Sequence, residues 1–304
     1  MEIERGEIPS RYVIREVIQH IEFNELEKIF YKWSKQHIEI EKGEWINIDG
    51  KAIRGTVINK NSSLQDFVSL VSVFVNKRKQ VLSVGKINTK KENEIPAVRE
   101  LIQLLDLQGV IFTLDALHCQ VKTVETIVES GNDYVIGVKG NQPKLLEQLK
   151  KNTEEEKGLV DTDELKEKNR GRYEERTCRV YDNLEGIDTE KWSGLKSLIK
   201  VERMVTIKEK KTLEIAYFIS SLPATTLAKE FNKGIRGHWG IESFHYIKDV
   251  TFGEDHWKVK KENAPANYSL MRNMGINIFR NNDLHHTQEA VEKCANNVSF
   301  MLSF

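Results

Sequence analysis

Residues Val110 to Gln120 read VIFTLDALHCQ, a short apolar and β-branched run that stops on an acid, Asp115. A run of that length and composition predicts a buried strand whose end delivers the carboxylate. The pattern recurs upstream, where WINIDGKAIRG carries a strand-like run from Trp45 that ends on Asp49. A third acid lies far downstream: Glu242 sits in IRGHWGIESFHYIKD, whose apolar positions Ile241, Phe244, Ile247 and Val250 recur every three residues. His238, Glu242, His245 and Asp249 fall on a different stripe, so the pattern predicts a helix with one face to pack and one to present.

Working outward, Phe67 to Val75 (FVSLVSVFV) and Gln80 to Ile87 (QVLSVGKI) read as strands that follow the Asp49 run in an antiparallel series. Asn93 to Leu105 then reads as a helix, with Asn93 as its cap and Pro96 in its first turn. Val121 to Ser130 and Pro143 to Lys151 read as helices that alternate with strands at Val110 to Leu114 and Tyr134 to Val138. The resulting order, βββαβαβα, predicts an α/β fold with a mixed sheet and helices on its faces. A ribonuclease H-like arrangement satisfies it.

Before this block, Arg11 to Gln36 reads as one or two helices. After it, an acidic stretch from Glu154 to Glu167 leads to strand-like runs at Tyr173 to Tyr181, Ile199 to Ile207 and Leu213 to Ser220, so a β-rich insertion is expected before the last catalytic helix. Beyond Pro223 the pattern turns helical, with Thr226 to Lys233, His238 to Val250, Ala264 to Arg280 and Thr287 to Phe300 as helices. The domains expected are a helical piece at 1–40, a catalytic domain at 41–151 and 223–304, and the β-rich insertion at 152–222.

Composition limits the function classes. With 304 residues and 39% hydrophobic content the chain can bury a sizeable core. It holds no run of about 18 apolar residues, and MEIERGEIPSR has no apolar leader segment, so a cytoplasmic protein without a membrane partner is expected. Cys119, Cys178 and Cys294 lie far apart, which argues against a disulfide framework and a thiolate zinc site. Lysine plus arginine equals aspartate plus glutamate at 46 each, so any attraction to a polyanion has to be local.

Three acids from remote segments are a donor set for hard divalent cations, which take oxygen ligands and assist phosphodiester cleavage. Each acid also has a plainer reading: Asp49 and Asp115 as caps of the turns that follow them, Glu242 as part of a solvated face. Lys139 and Asn141 in VIGVKGNQPK fall between a strand and a helix, where a loop contacts phosphate or simply turns. His118, His238, His245 and His256 offer imidazoles for zinc, but no H-E-x-x-H spacing joins them, and no phosphate-binding G-x-x-x-x-G-K-[ST] loop occurs.

The ordered blocks IDGKAIRG, KENEIPAVRELIQLLDLQGVIFTLDALHCQ, DYVIGVKGNQPKLLEQL, RGRYEERTCRVYD and IRGHWGIESFHYIKDVTFGED resemble bacterial insertion-sequence DDE transposases, the group that includes the H-repeat-associated proteins. The resemblance runs from about Trp45 to Arg280. It implies a ribonuclease H-like catalytic domain with Asp49, Asp115 and Glu242 as both the catalytic and the metal-binding acids. It further implies two Mg²⁺ ions, replaceable by Mn²⁺, about 3.5 to 4 Å apart, acting in strand cleavage and then strand transfer. Double-stranded DNA, as transposon ends and target, is the implied partner, bound by a homodimer. Lys51, Arg54, Lys139, Asn141, Arg236, His238 and Lys248 are the expected DNA contacts. Around Glu242 the sequence departs from the family pattern: Ser243 replaces an Asn, Tyr246 a Trp and Lys248 a Leu, without removing an acid. Family members also have a longer helical region upstream of this Met1, so a truncated, catalytically inactive DNA-binding remnant is the alternative expectation. A glycoside hydrolase built on a carboxylate pair leaves the third acid without a role.

Overall fold

The computed structural model describes residues 9–58, 66–87, 91–169 and 171–304. Residues 1–8, where the sequence reading placed part of the helical piece, lie outside them. Two helices, α1 (Arg11–His20) and α2 (Phe23–His37), precede the strands β1 (Trp45–Ile58), β2 (Asp66–Val75) and β3 (Gln80–Ile87). Next come α3 (Lys91–Leu104), β4 (Ile111–Leu114), α4 (Val121–Glu129), β5 (Asp133–Val138) and α5 (Pro143–Glu154). The strands β6 (Leu159–Asn169), β7 (Arg172–Tyr181), β8 (Ser197–Ile207) and β9 (Lys210–Ser220) follow. The chain closes with α6 (Ala228–Gly237), α7 (Trp239–Val250), α8 (Ala264–Asn281), α9 (Thr287–Asn296) and α10 (Val298–Met301). This is the α/β class with the βββαβαβα order read from the sequence. Among the described residues no helix is long and apolar enough to cross a membrane.

The chain folds as two compact units. A central unit comprises Ile40–Asp49 and Val98–Ile241, and a terminal unit comprises Met1–Glu39, Gly50–Ala97 and Glu242–Phe304. In the central unit the strand order is β1-β4-β5-β9-β8-β7-β6. The β1–β4 and β4–β5 pairs are parallel, whereas β5–β9 and the pairs beyond it are antiparallel. Phe112, Leu114, Val135 and Ile136 are buried to within a few percent, as expected of parallel strands covered on both faces. A core of Ile111, Val135, Cys178, Val180, Ile199, Val201, Phe231 and Ile235 seats α6 on the sheet. Gly234 makes that seat possible, because a Cβ there would come within 2.2 Å of the Trp45 ring.

Two expectations change here. The acidic stretch contains a strand, β6, which pairs antiparallel with β7 over its whole length. Its acids on one face hold α6: Asp161 accepts the Ala228 backbone N–H at 2.8 Å, Asp163 accepts from Asn232 at 2.7 Å, and Glu167 pairs with Arg236. Those partners are four residues apart, one helical turn each, so alternate acids on a strand match one face of a helix. α3 begins at Lys91, which places Asn93 inside the helix and Pro96 in its second turn, whereas a cap and a first-turn proline were expected.

In the terminal unit β3 pairs antiparallel with β2 and lies at the end of the strand order. Helices α2 and α8 both contact β3. Asn277 of α8 accepts from the Val81 backbone N–H at 3.1 Å and donates to its carbonyl at 2.7 Å. The amide thereby does for Val81 what another strand would do, which blunts an exposed edge. Asn267 on the same helix donates to the carbonyls of Ile18 and Ile21 and ties down the end of α1.

Candidate active site

In the central unit β1 and β4 run parallel with Trp45 opposite Ile111, Ile46 opposite Phe112 and Asn47 opposite Thr113. The pairing ends at Asn47 and Thr113, so Asp49 follows two residues further along β1 and Asp115 directly after the last residue of β4. Asp115 also plays the plainer role: its Oδ1 accepts the Leu117 N–H at 3.0 Å and caps the 3₁₀ turn Ala116–His118. Its side chain stays half exposed, so the cap leaves carboxylate oxygen toward solvent. The Nε2 of buried His118 lies 3.9 Å from Asp115 Oδ1.

The two strands are locked together directly beneath the acids. Buried Asn47 donates from Nδ2 to the Gly237 carbonyl at 2.7 Å, so its Oδ1 accepts, and Thr113 donates its hydroxyl proton there at 2.7 Å. With that proton committed, Thr113 Oγ1 accepts from His238 Nδ1 at 3.0 Å. The hydroxyl has one proton to give, which fixes His238 as the Nδ1–H tautomer with a lone pair on Nε2. Burial lowers the His238 pKa to about 4, with Asp115 opposing and His118 adding to the drop, so the ring is neutral at pH 7. His238, expected as a DNA contact, is here a neutral ring with its Nδ1 proton committed to Thr113 and an accepting Nε2, so in this state it offers a phosphate no proton.

Glu242 lies in the first turn of α7 and is exposed. Phe244 is buried in the terminal unit against Phe74, with ring centroids 5.7 Å apart, and under the guanidinium of Arg280 at 5.2 Å. The stripes differ from their sequence reading, since His245 is buried and Val250 is 60% exposed. Among the described residues no group of three or more His, Cys, Asp or Glu side chains stands ready-made as a metal cage.

Lys248 and Lys51 have an employment that the sequence did not announce. Both ammonium groups, with Arg272, surround the buried carboxylate of Glu254 at 3.4, 3.3 and 3.4 Å. Lys248 also donates to Ser269 at 2.6 Å, and Lys51 reaches Asp249 at 2.7 Å and Asp255 at 3.4 Å. Burial opposes the charge on Glu254, but Lys248, Lys51 and Arg272 outweigh it and hold the carboxyl down at about 2. Burial likewise pushes the Lys248 pKa down. Lys248 is 2% exposed, so this ammonium braces the end of α7 from inside and is closed to a DNA phosphate in this arrangement. Lys51, 11% exposed, does the same for β1 two residues after Asp49.

The remaining expected contacts divide between surface and structure. Lys139 is exposed, and Asn141 beside it donates to the Ala116 carbonyl at 2.6 Å, which pins the loop before α5 to the turn after Asp115. Gln142 repeats this on the Cys119 carbonyl at 2.8 Å. Arg236 is engaged by Glu167, whose charge holds the guanidinium pKa up. Arg54 is 81% exposed. Sequence reading passed over Glu254, and also Arg176 and Arg203, which stack on the two-ring face of Trp239 at 4.7 and 4.3 Å while Glu174 bridges them. The signal for Arg176 was present in the charged block RGRYEERTCR, whose alternation belongs to a strand.

A mixed sheet in which parallel β1, β4 and β5 are extended by antiparallel strands and flanked by helices is of the ribonuclease H-like fold class. The transposase DDE domain family matches residues 44–278. YncI of Escherichia coli O157:H7, named as a transposase, is 37% identical over 289 residues, covering 90% of this chain and 71% of its own. The H repeat-associated protein YhhI of Escherichia coli strain K12, also named as a transposase, is 34% identical over 291 residues, covering 90% and 74%. Among solved structures, the piggyBac transposase synaptic complex with hairpin DNA aligns at a TM-score of 0.51 and 13% identity. That alignment covers 93% of this chain and 55% of the other, and at such identity it speaks to the fold alone. The chain belongs to the transposase DDE domain family.

Proposed function

We propose that this protein is an insertion-sequence transposase that binds element ends and performs Mg²⁺-dependent DNA strand cleavage followed by strand transfer. The observation that carries the reading is that β1, which bears Asp49, and β4, which Asp115 directly follows, are neighbouring parallel strands. Glu242 joins them through the family resemblance. The donor set suits a hard divalent cation, since carboxylate oxygens are offered and thiolates are not: burial pushes the Cys119 and Cys178 thiols up to about 12. Asp49, Asp115 and Glu242 would hold the ions, which supply a Lewis acid for the attacking and leaving oxygens of a phosphodiester. The lock formed by Asn47, Thr113 and His238 keeps the strand ends in register, and the ion cluster around Glu254 fixes the helix that bears Glu242. DNA enters as duplex, as element ends and target, and two protomers pair two ends.

Asp49→Ala and Asp115→Ala are expected to abolish Mg²⁺-dependent nicking of a duplex that carries the element end while leaving its binding within about threefold. Nicking at an undiminished rate in either variant refutes the assignment. Binding of ends by the unaltered protein with no cleavage in Mg²⁺ or Mn²⁺ identifies a catalytically inactive remnant instead.

A further inference from the structure

The terminal unit contains a cleft of about 250 Å³ beside the second half of β1. Arg54 lines it from the strand, and His256, Lys258 and Lys260 line it from the segment after α7. That segment is pressed hard against the strand: a Cβ on Gly55 would stand 2.1 Å from the Trp257 carbonyl oxygen. Arg54, His256, Lys258 and Lys260 are exposed. The cleft's acid, Asp255, is already engaged, accepting the Arg54 backbone N–H at 3.0 Å and facing Lys51 at 3.4 Å. Lys260 donates to the Val57 carbonyl at 2.6 Å, which anchors the ammonium at the cleft and leaves its other protons to a ligand. Trp257, between His256 and Lys258, packs against Arg272, 4.6 Å from its ring, and the edge of Tyr268 at 5.3 Å, which holds the segment that bears those cations.

We propose that this cleft holds backbone phosphates of the DNA duplex, through Arg54, Lys258 and Lys260, as an anchoring subsite. The proposal rests on the reading of the protein as a DNA-cutting transposase. Cations carried on two segments that run side by side match a linear polyanion with a charge about every 3.4 Å per strand. They also supply the local basic surface that a chain with balanced total charge needs. Arg54 follows Asp49 by five residues on one strand.

The test compares the unaltered protein, an Arg54→Gln/Lys258→Gln/Lys260→Gln variant, and a charge control, Lys210→Gln/Lys211→Gln, on the β8–β9 hairpin. Binding of an element-end duplex is titrated from 50 to 300 mM salt. Three phosphate contacts predict a slope of log K against log salt that is shallower by about 2 to 3 in the triple variant, with affinity at least tenfold weaker at 100 mM. The charge control keeps the original slope. An unchanged slope in the triple variant, with its thermal unfolding intact, overturns the subsite while leaving the transposase reading in place. Failure of the unaltered protein to bind the duplex overturns both. Inorganic phosphate serves as the second probe: phosphate bound by the unaltered protein and not by the triple variant, together with an unchanged salt slope for the duplex, marks a free-phosphate site and the proposal falls.

Discussion

A single carboxylate, Glu254, illustrates how residue-scale chemistry is set by neighbours remote in sequence. Its ordinary pKa of 4.5 drops to about 2 because three cations surround it in a buried site. A depressed carboxyl pKa contributes stability in full above the unfolded value, and that stability is lost as pH falls through the folded one. Glu254→Gln leaves Lys51, Lys248 and Arg272 without their shared anion. It is expected to lower unfolding free energy by about 3 to 5 kcal/mol near pH 7. Urea titrations at a series of pH values check the sign: the gap between the variant and the unaltered protein stays constant above about pH 5 and narrows toward pH 2. A gap that widens on acidification contradicts this account. The same cluster explains why Lys51 and Lys248 misled a reading of the sequence. A lysine near an acidic motif reads as a phosphate contact, and only three-dimensional proximity discloses an internal carboxylate.

At the scale of elements, legibility followed the hydrophobic pattern. β3 runs from Gln80 to Ile87 as read, and α7 and α8 match within a residue, because their apolar positions repeat with one clear period. β1 was read as ending at Asp49 but continues to Ile58, since Gly50, Lys51, Arg54 and Gly55 interrupt the apolar run. Its second half draws on the Glu254 cluster and the pressed segment at Trp257, both contributed from about 200 residues away. β6 was hidden for a different reason, because its alternation is of acids rather than apolar residues, and an acidic run reads as solvated. The strand's value lies in its grip on α6. Leu227, which precedes that helix, has no side-chain oxygen to cap it, so Asp161 supplies the acceptor from the strand. Asp161→Ala is expected to lower stability by about 1 kcal/mol, as loss of a cap does, with faster amide exchange confined to the first turn of α6. Uniform exchange along the helix after this substitution removes the capping role.

For the whole molecule, the proposed metal-binding role of Asp49 and Asp115 makes a prediction independent of DNA. Ions that bind the folded chain and not the unfolded one raise its stability by mass action, about 2.7 kcal/mol at a hundredfold excess over the dissociation constant. Millimolar Mg²⁺ is therefore expected to raise the melting temperature of the unaltered protein, chelator to reverse the rise, and Asp49→Asn/Asp115→Asn to abolish it. Equal Mg²⁺ shifts in both proteins place the ions elsewhere. The strand pair that presents these acids was legible as two apolar runs with acidic ends. Their register was not, because it depends on Asn47, Thr113 and His238, whose hydrogen bonds join three separate stretches of chain.

The terminal unit is assembled from three stretches separated by the whole of the central one. During synthesis Lys51 and the early strands emerge from the ribosome long before Glu254, Ser269 and Arg272. A nascent polypeptide thus holds Lys51 without the carboxylate it surrounds, so the terminal unit can set its buried charges in order only after the segment about 200 residues downstream has been made.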